Sequence, residues 1–271
     1  LLLRQRATRL EQLADGWRVH TESGDCYGTR AVLSNLPIWN LPDLTEGPVQ
    51  HWTQRQADRF TEYWSAFTMS VVIDDVLLPE TSLHHQLILP EGQTIPRCGS
   101  HSVFVSISDP NDRLRCGPGE RVLALSTHAA CPADWFNLDR DTYAAWKAQA
   151  SEAMLDTLER QLPGFSRQAI RYRLDSSPAT WQDWIFRHRG SVGGLPQRMG
   201  QLLSGLLGAR TPFRGLVLCG DTVYPGQGVP GVVLGGLIAA RRLRTQLGQP
   251  LPPIQRVPVA QPEWAEPAAV R

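Results

Sequence analysis

The stretch with the clearest chemical potential is Gly215-Leu-Val-Leu-Cys-Gly-Asp-Thr-Val-Tyr-Pro-Gly-Gln-Gly-Val-Pro-Gly, followed by the apolar run Val232 to Ala240. An apolar strand here delivers Gly220 and Asp221 at its C-terminal end, where open α/β sheets bind ligands. Asp221 can accept hydrogen bonds from sugar-like hydroxyls, and Gly220 lets the backbone come close. The glycine-rich turn Gly226–Gly231 leads into an apolar helix whose free N–H groups and positive dipole end favour negative charge on a ligand. Arg241, Arg242 and Arg244 suit the opposite end of that helix. The same letters also fit a strand, loop and helix in which Asp221 only caps a turn. Gly226–Gly231 is a literal G-x-G-x-x-G, yet it fails as a dinucleotide fingerprint. Six residues, Gly220–Pro225, separate it from the strand, and no Asp or Glu lies between Asp221 and Glu263 to hold a ribose.

Other reactive side chains give less. Cys26, Cys98, Cys116, Cys131 and Cys219 form no C-x-x-C pair and are odd in number. That argues against a zinc site or a disulfide framework and for free, mostly buried thiols. His84 and His85 are adjacent on a strand, so they point to opposite faces and do not share a metal; no metal site is expected. Arg187, His188 and Arg189 read as a solvated basic edge. No catalytic side chain can be named.

Elements must position these groups. Ala7–Glu11 and Trp17–Thr21 alternate around the turn Ala14-Asp15-Gly16, and Ser23-Gly24-Asp25 is a second turn. Ala31–Asn35 has the profile of a buried strand opening onto a loop. A helix is expected at His51–Tyr63. Strands follow at Phe67–Ile73, His85–Leu89, Ser102–Ile107 and Arg121–Ser126, an antiparallel sheet with proline-rich connections. A helix over Asp139–Gln161 carries Tyr143, Trp146, Ala150, Met154 and Leu158 at helical spacing, a core stripe. Pro163-Gly164 stops it, and Tyr172–Leu174 is a further strand. Arg198–Leu207 reads as an amphipathic helix, Gly215–Cys219 as a buried strand, and 231–247 as mostly helix. The proline-rich tail from Gln249 to Arg271 reads as extended or disordered.

Composition bounds the function. The 271 residues carry 27 Lys+Arg against 26 Asp+Glu, which excludes an electrostatic nucleic-acid binder. Twenty per cent charged residues and nine tryptophans exclude bulk disorder. Thr222 to Ala240 lacks charge, but two prolines and three glycines break its first half, so no membrane span is expected. Seven of the nine tryptophans lie within residues 39–184, which suits an apolar tunnel, a membrane interface, or plain core filling.

The segment Cys219–Gly236, with its G-D-x-x-x-P-G-Q-G-V-P-G pattern, resembles the C-terminal FAD motif of the carotenoid desaturase/isomerase family, flavoproteins related to amine oxidases. Residues 1–35 are similar to that family's second FAD segment, with Ala7 where valine is usual. Phe104–Pro110, Pro163-Gly164-Phe165 and Val192-Gly-Gly-Leu-Pro-Gln197 fit too, so the likeness covers nearly all of residues 1–248. Within the family the chain looks closest to bacterial 3',4'-desaturase-type members. The resemblance implies FAD as cofactor, with Asp221 at the ribityl or pyrophosphate end beside Gly220. Gly228, Val229, Pro230 and Gly231 would line the flavin ring or its N1 edge. Ala7 would meet the adenine through its backbone, with Asn35 nearby. It implies hydride transfer from a polyene to flavin N5, the chemistry being mostly the cofactor's. Cis–trans isomerisation or saturation on the same scaffold stays open, as does a non-catalytic lipid-binding remnant.

The expected fold is mixed: part of a Rossmann-like FAD domain of the glutathione-reductase type with an inserted antiparallel-sheet substrate domain (α/β plus α+β). Residues 1–45 and 190–248 would make the cofactor part, 46–189 the substrate part, and 249–271 a tail. The chain opens on Leu1, and a true G-x-G-x-x-G strand–helix start is absent from it. The expectation is therefore a C-terminal portion, inactive alone, that binds FAD weakly or not at all; sub-micromolar affinity in a titration overturns this. The expected partner is a lipophilic carotenoid, reached by peripheral membrane contact from the cytoplasm of a bacterium.

Overall fold

A computed structural model describes residues 1–78, 80–130, 132–196 and 205–251. Alternation organises most of it. Strands β1 (Ala7–Leu13), β2 (Gly16–Thr21) and β3 (Cys26–Thr29) form a three-stranded antiparallel sheet. Leu10 and Trp17 point to its buried side and pack with Val49 and Leu216. Trp17 is fully buried, and its indole donates to the Arg214 carbonyl at 3.0 Å. That bond ties the N-terminal sheet to the C-terminal part of the chain. β3 carries no alternation and no buried residue; it exists by pairing with β2.

β4 (Val32–Ser34) runs parallel to β11 (Leu216–Leu218). The sequence reads β4 as buried, but Leu33 is exposed, because β11 is its only strand partner among the described residues. α1 covers Gly47–Asp58, four residues earlier at its start than the sequence suggests. Pro48 sits in its first turn, where a missing N–H costs nothing.

The middle of the chain builds an antiparallel sheet of β5 (Trp64–Asp74), β6 (His84–Ile88), β7 (Ser102–Ile107), β8 (Glu120–Ala129) and β9 (Ile170–Ser176), with the two-residue β10 (Ser191–Val192) on the edge of β5. One face is closed by α2 (Arg140–Gln161). Phe67, Met69, Val71, Leu123, Leu125 and Val105 meet Trp135, Met154 and Leu158 there in the largest core. The helical aromatic stripe is thus core. A short helix α3 (Pro178–Ile185), not expected from the sequence, follows β9. α4 (Val229–Gln246) ends the described chain. The Arg198–Leu207 helix and the proline-rich tail fall mostly outside the described residues. No helix of the described residues is long and apolar enough to cross a membrane.

The thiols differ from their expected burial. Cys98 and Cys219 are buried, Cys116 is half-buried, and Cys26 is exposed. His84 and His85 do lie on opposite faces of β6: His84 stacks on Phe104 and His85 bonds to the Ser82 carbonyl. No group of His, Cys, Asp and Glu suited to a metal exists among the described residues.

Candidate functional site

β11 is fully buried, and its end is laid against the end of β4. The Cys219 amide donates to the Ser34 carbonyl at 2.8 Å. Gly220 has φ +99°, and a Cβ there would stand 3.0 Å from the Asn35 carbonyl oxygen. Only glycine both takes that turn and permits that approach. The turn is then pinned: Thr222 is buried, and its hydroxyl accepts from the Ile38 amide at 3.2 Å. Asn35, Gly220 and Asp221 are therefore neighbours, as one site requires.

Asp221 is not a bare carboxylate. Arg187 donates to its Oδ2 at 2.7 Å, with side-chain exposures of 21% and 18%. The same guanidinium donates through Nε to the Ser191 carbonyl at 2.5 Å. This corrects the reading of residues 187–189 as a solvated edge: Arg187 holds the acid of the site. The residues are 34 apart in the chain, and no local pattern announces the pair.

Two glycine-rich segments close round that acid. Gly194, at φ +72°, passes so near that a Cβ would fall 2.1 Å from the Asp221 carbonyl oxygen. A Cβ on Gly193 would fall 2.8 Å from Gln227 Oε1. The loop between α3 and β10 holds two further left-handed residues, Phe186 at φ +57° and Arg189 at φ +47°. Neither is glycine, so each costs roughly 1 kcal/mol or more of backbone strain. That strain brackets Arg187 and His188.

Gly226 and Gly228 both have positive φ, and a Cβ on Gly231 would meet the Gly226 carbonyl at 2.8 Å. Gly228 is the N-cap of α4, with no side-chain cap and no acid in the first turn. Val229, 75% exposed, and Pro230 are presented at this end. The positive end of an 18-residue helix is thus left for a ligand to compensate. This cradle fits an electron-rich planar group such as a flavin. It does not repeat the dinucleotide geometry, since β11 ends at Leu218, well short of Gly226.

Ala7 stands apart, at the start of β1 and paired with Thr21 in a different sheet. Its neighbour Arg6 lies over the Phe186 ring at 4.1 Å, which brings that strand end to the loop carrying Arg187. On the other side of the same loop, His188 stacks on Trp39 and meets Tyr63 edge-on. Burial pushes the His188 imidazole below its ordinary range, with repulsion from Arg189 adding to this and Asp43 opposing it. His188, Trp39, Tyr63, Phe60 and Trp64 line a cavity of about 770 Å³ together with the charged side chains Asp43, Asp58, Glu62, Asp134 and Arg189.

Comparison with known proteins gives a consistent picture. A profile of the family described as flavin containing amine oxidoreductase matches residues 1–244. The chain is 29% identical over 175 residues to prolycopene isomerase of Arabidopsis thaliana, covering 64% of this chain and 29% of that one. The figures for the prolycopene isomerase of Daucus carota are 29% over 178 residues, 65% and 28%. Among solved structures, the fold is similar to cyclohexylamine oxidase from Brevibacterium oxydans (TM-score 0.56, 13% identity, 92% of this chain and 49% of that one). It is likewise similar to putrescine oxidase bound to putrescine (TM-score 0.57, 13% identity, 91% and 48%). The chain therefore spans under a third of these curated relatives and about half of these solved chains.

Proposed function

The chain belongs to the flavin containing amine oxidoreductases, with FAD as cofactor, and from that membership we propose that the protein acts on a carotenoid-type polyene. The observation that carries the cofactor half is the cradle itself: Asp221, fixed by Arg187 at 2.7 Å, set between two glycine segments and an uncapped helix start. The substrate half is supported by the prolycopene isomerases among its relatives and by the aromatic wall of the 770 Å³ cavity.

When bound, FAD supplies hydride and electron chemistry at its isoalloxazine ring. Asp221 Oδ1 would accept from a ribityl hydroxyl while Arg187 keeps the carboxylate oriented. Gly220 holds the turn close against Asn35, and the Gly228–Gly231 end of α4 would stabilise negative charge on the flavin. Ala7 would offer its backbone to the adenine, and Asn35 would sit beside it. Trp39, Tyr63 and Trp64 would exclude water from an apolar planar substrate.

We further assign residues 1–45 and 190–248 to one cofactor unit, supported by the β4–β11 pairing across them. Residues 46–189 form the substrate unit; β10 departs from this division, since it pairs with β5. The reaction favoured by the relatives is cis–trans isomerisation without net redox change, and the likeness of Pro225–Gly231 to desaturases supports carbon–carbon desaturation as the second reading. Either substrate lives in a bilayer, so peripheral contact with a membrane surface is part of the proposal.

The test is expression of the full-length protein in cells that accumulate a cis-configured or an all-trans carotene. Isomerisation changes cis content at constant chromophore length, whereas desaturation shifts absorption to the red. An unchanged pigment in the presence of bound FAD overturns the polyene assignment.

A further inference from the structure

A second chemically competent cluster lies on the outer face of the N-terminal sheet. Alternation puts Leu10, Trp17 and Val19 on one side of β1–β3 and Arg9, Glu11, Arg18 and His20 on the other. Cys26 of β3 joins that second side, because its register partner is His20. The Cys26 Sγ lies 3.1 Å from His20 Nδ1. The other ring nitrogen, Nε2, lies 3.1 Å from Glu11 Oε2. This is a nucleophile, a base and an acid that orients the base, in one line across three strands.

Charged side chains surround this line. Arg18 donates to the same Glu11 oxygen at 3.2 Å, and Arg9 approaches His20 Nε2 at 3.0 Å while pairing with Glu46 at 3.4 Å. With a proton on Nε2 facing Glu11, Nδ1 accepts the thiol proton. With Arg9 donating to Nε2, Nδ1–H donates to a thiolate instead. The first tautomer is the one that leaves Nδ1 free to take the proton. The hydrogen bond from His20 holds the Glu11 carboxyl below its usual range, assisted by Arg18 and Arg9, so the orienting acid is ionised at neutral pH.

The other described thiols lack these features. Burial pushes Cys98 up to about 12 and raises Cys219 as well. Cys116 donates to the Asp112 and Glu120 carbonyls and faces no imidazole. Cys26 alone among them is exposed.

We propose that Cys26 is a thiol–disulfide exchange site that takes a low-molecular-weight disulfide of the glutathione class. The Cys26 S–H proton passes to His20 Nδ1, and the sulfur attacks one sulfur of R–S–S–R. The Cys26–S–S–R bond forms as the original S–S bond breaks with its electron pair. The leaving thiolate takes the proton from His20 as R–S–H. Cys26 is oxidised to a mixed disulfide, half of the reagent is reduced to thiol, and no further oxidant enters.

The experiment incubates the protein with glutathione disulfide at pH 7 and follows it by intact mass and peptide mapping. One glutathione is expected, on Cys26, faster than on Cys116 or Cys131. His20→Gln should slow that addition by at least about tenfold, while Cys26→Ser abolishes it. Unchanged protection of Cys98 and Cys219 in the same spectra shows that the variants keep their fold. A first addition at Cys116 or Cys131 overturns the site, whatever the variants do. A folded His20→Gln protein that reacts at the wild-type rate overturns the role of the imidazole.

Discussion

Arg187 reaches two partners with one planar fork, the Asp221 carboxylate and the Ser191 carbonyl. Lysine supplies one charge without the fork, so Arg187→Lys should keep one contact and lose the other. The expected cost is about 1 kcal/mol of stability and about fivefold lower FAD retention by the full-length protein. Urea unfolding and flavin absorbance after gel filtration measure the two. Gly194→Ala is harsher, since its Cβ would sit 2.1 Å from a backbone oxygen at φ +72°. It should lower stability by about 2 kcal/mol or more, visible as a fall in thermal midpoint. His188 adds a pH dependence. Its folded-state affinity for a proton is lowered, so the unfolded chain protonates first as pH falls. Stability from this group is complete above the ordinary histidine value of 6.5 and is lost on acidification below it. The urea midpoint should therefore drop between pH 7 and pH 5, and His188→Gln should flatten that slope.

At the scale of elements, α2 closes one face of the antiparallel sheet. Asp139 caps it by accepting from the Asp141 amide at 3.0 Å and the Thr142 amide at 2.9 Å. Asp139→Ala should cost about 1 kcal/mol, and Leu158→Ala in the fully buried core about 2–5 kcal/mol, both by chemical denaturation. These elements were legible because burial wrote a period into them: β7 falls on Ser102–Ile107 and α2 on Arg140–Gln161, within a residue of expectation. β3 was not legible, since all four of its residues face solvent. α3 escaped for another reason: its capping box pairs Ser177 with Thr180 rather than with an acid, and the helix is only eight residues long. Within the cradle, the Asp221 turn and the start of α4 could be read from glycine and strand chemistry. Arg187 could not, because its role is set by a contact from another part of the chain.

At the scale of the molecule, α4 leaves an apolar surface uncovered among the described residues. On α4, Val233 is 56% exposed and Leu237 58%, with Leu234 and Ile238 beside them, and Leu33 of β4 is also exposed. Contiguous apolar surface of this kind drives association in water. The 271-residue chain should self-associate with rising concentration, and L234E/L237E should reduce that self-association, as read by light scattering. The parallel pairing of β4 with β11 also has a consequence in time. The contact between Ile38 and Thr222 closes 184 residues of chain, whereas β5 to β8 pair over much shorter spans. Long closures come late, because their entropy is lost before their contacts return it. In pulse-labelled refolding, amides of β7 and β8 should gain protection before those of β11. A ribosome would then present a finished antiparallel sheet while β4 still waits for its partner strand β11.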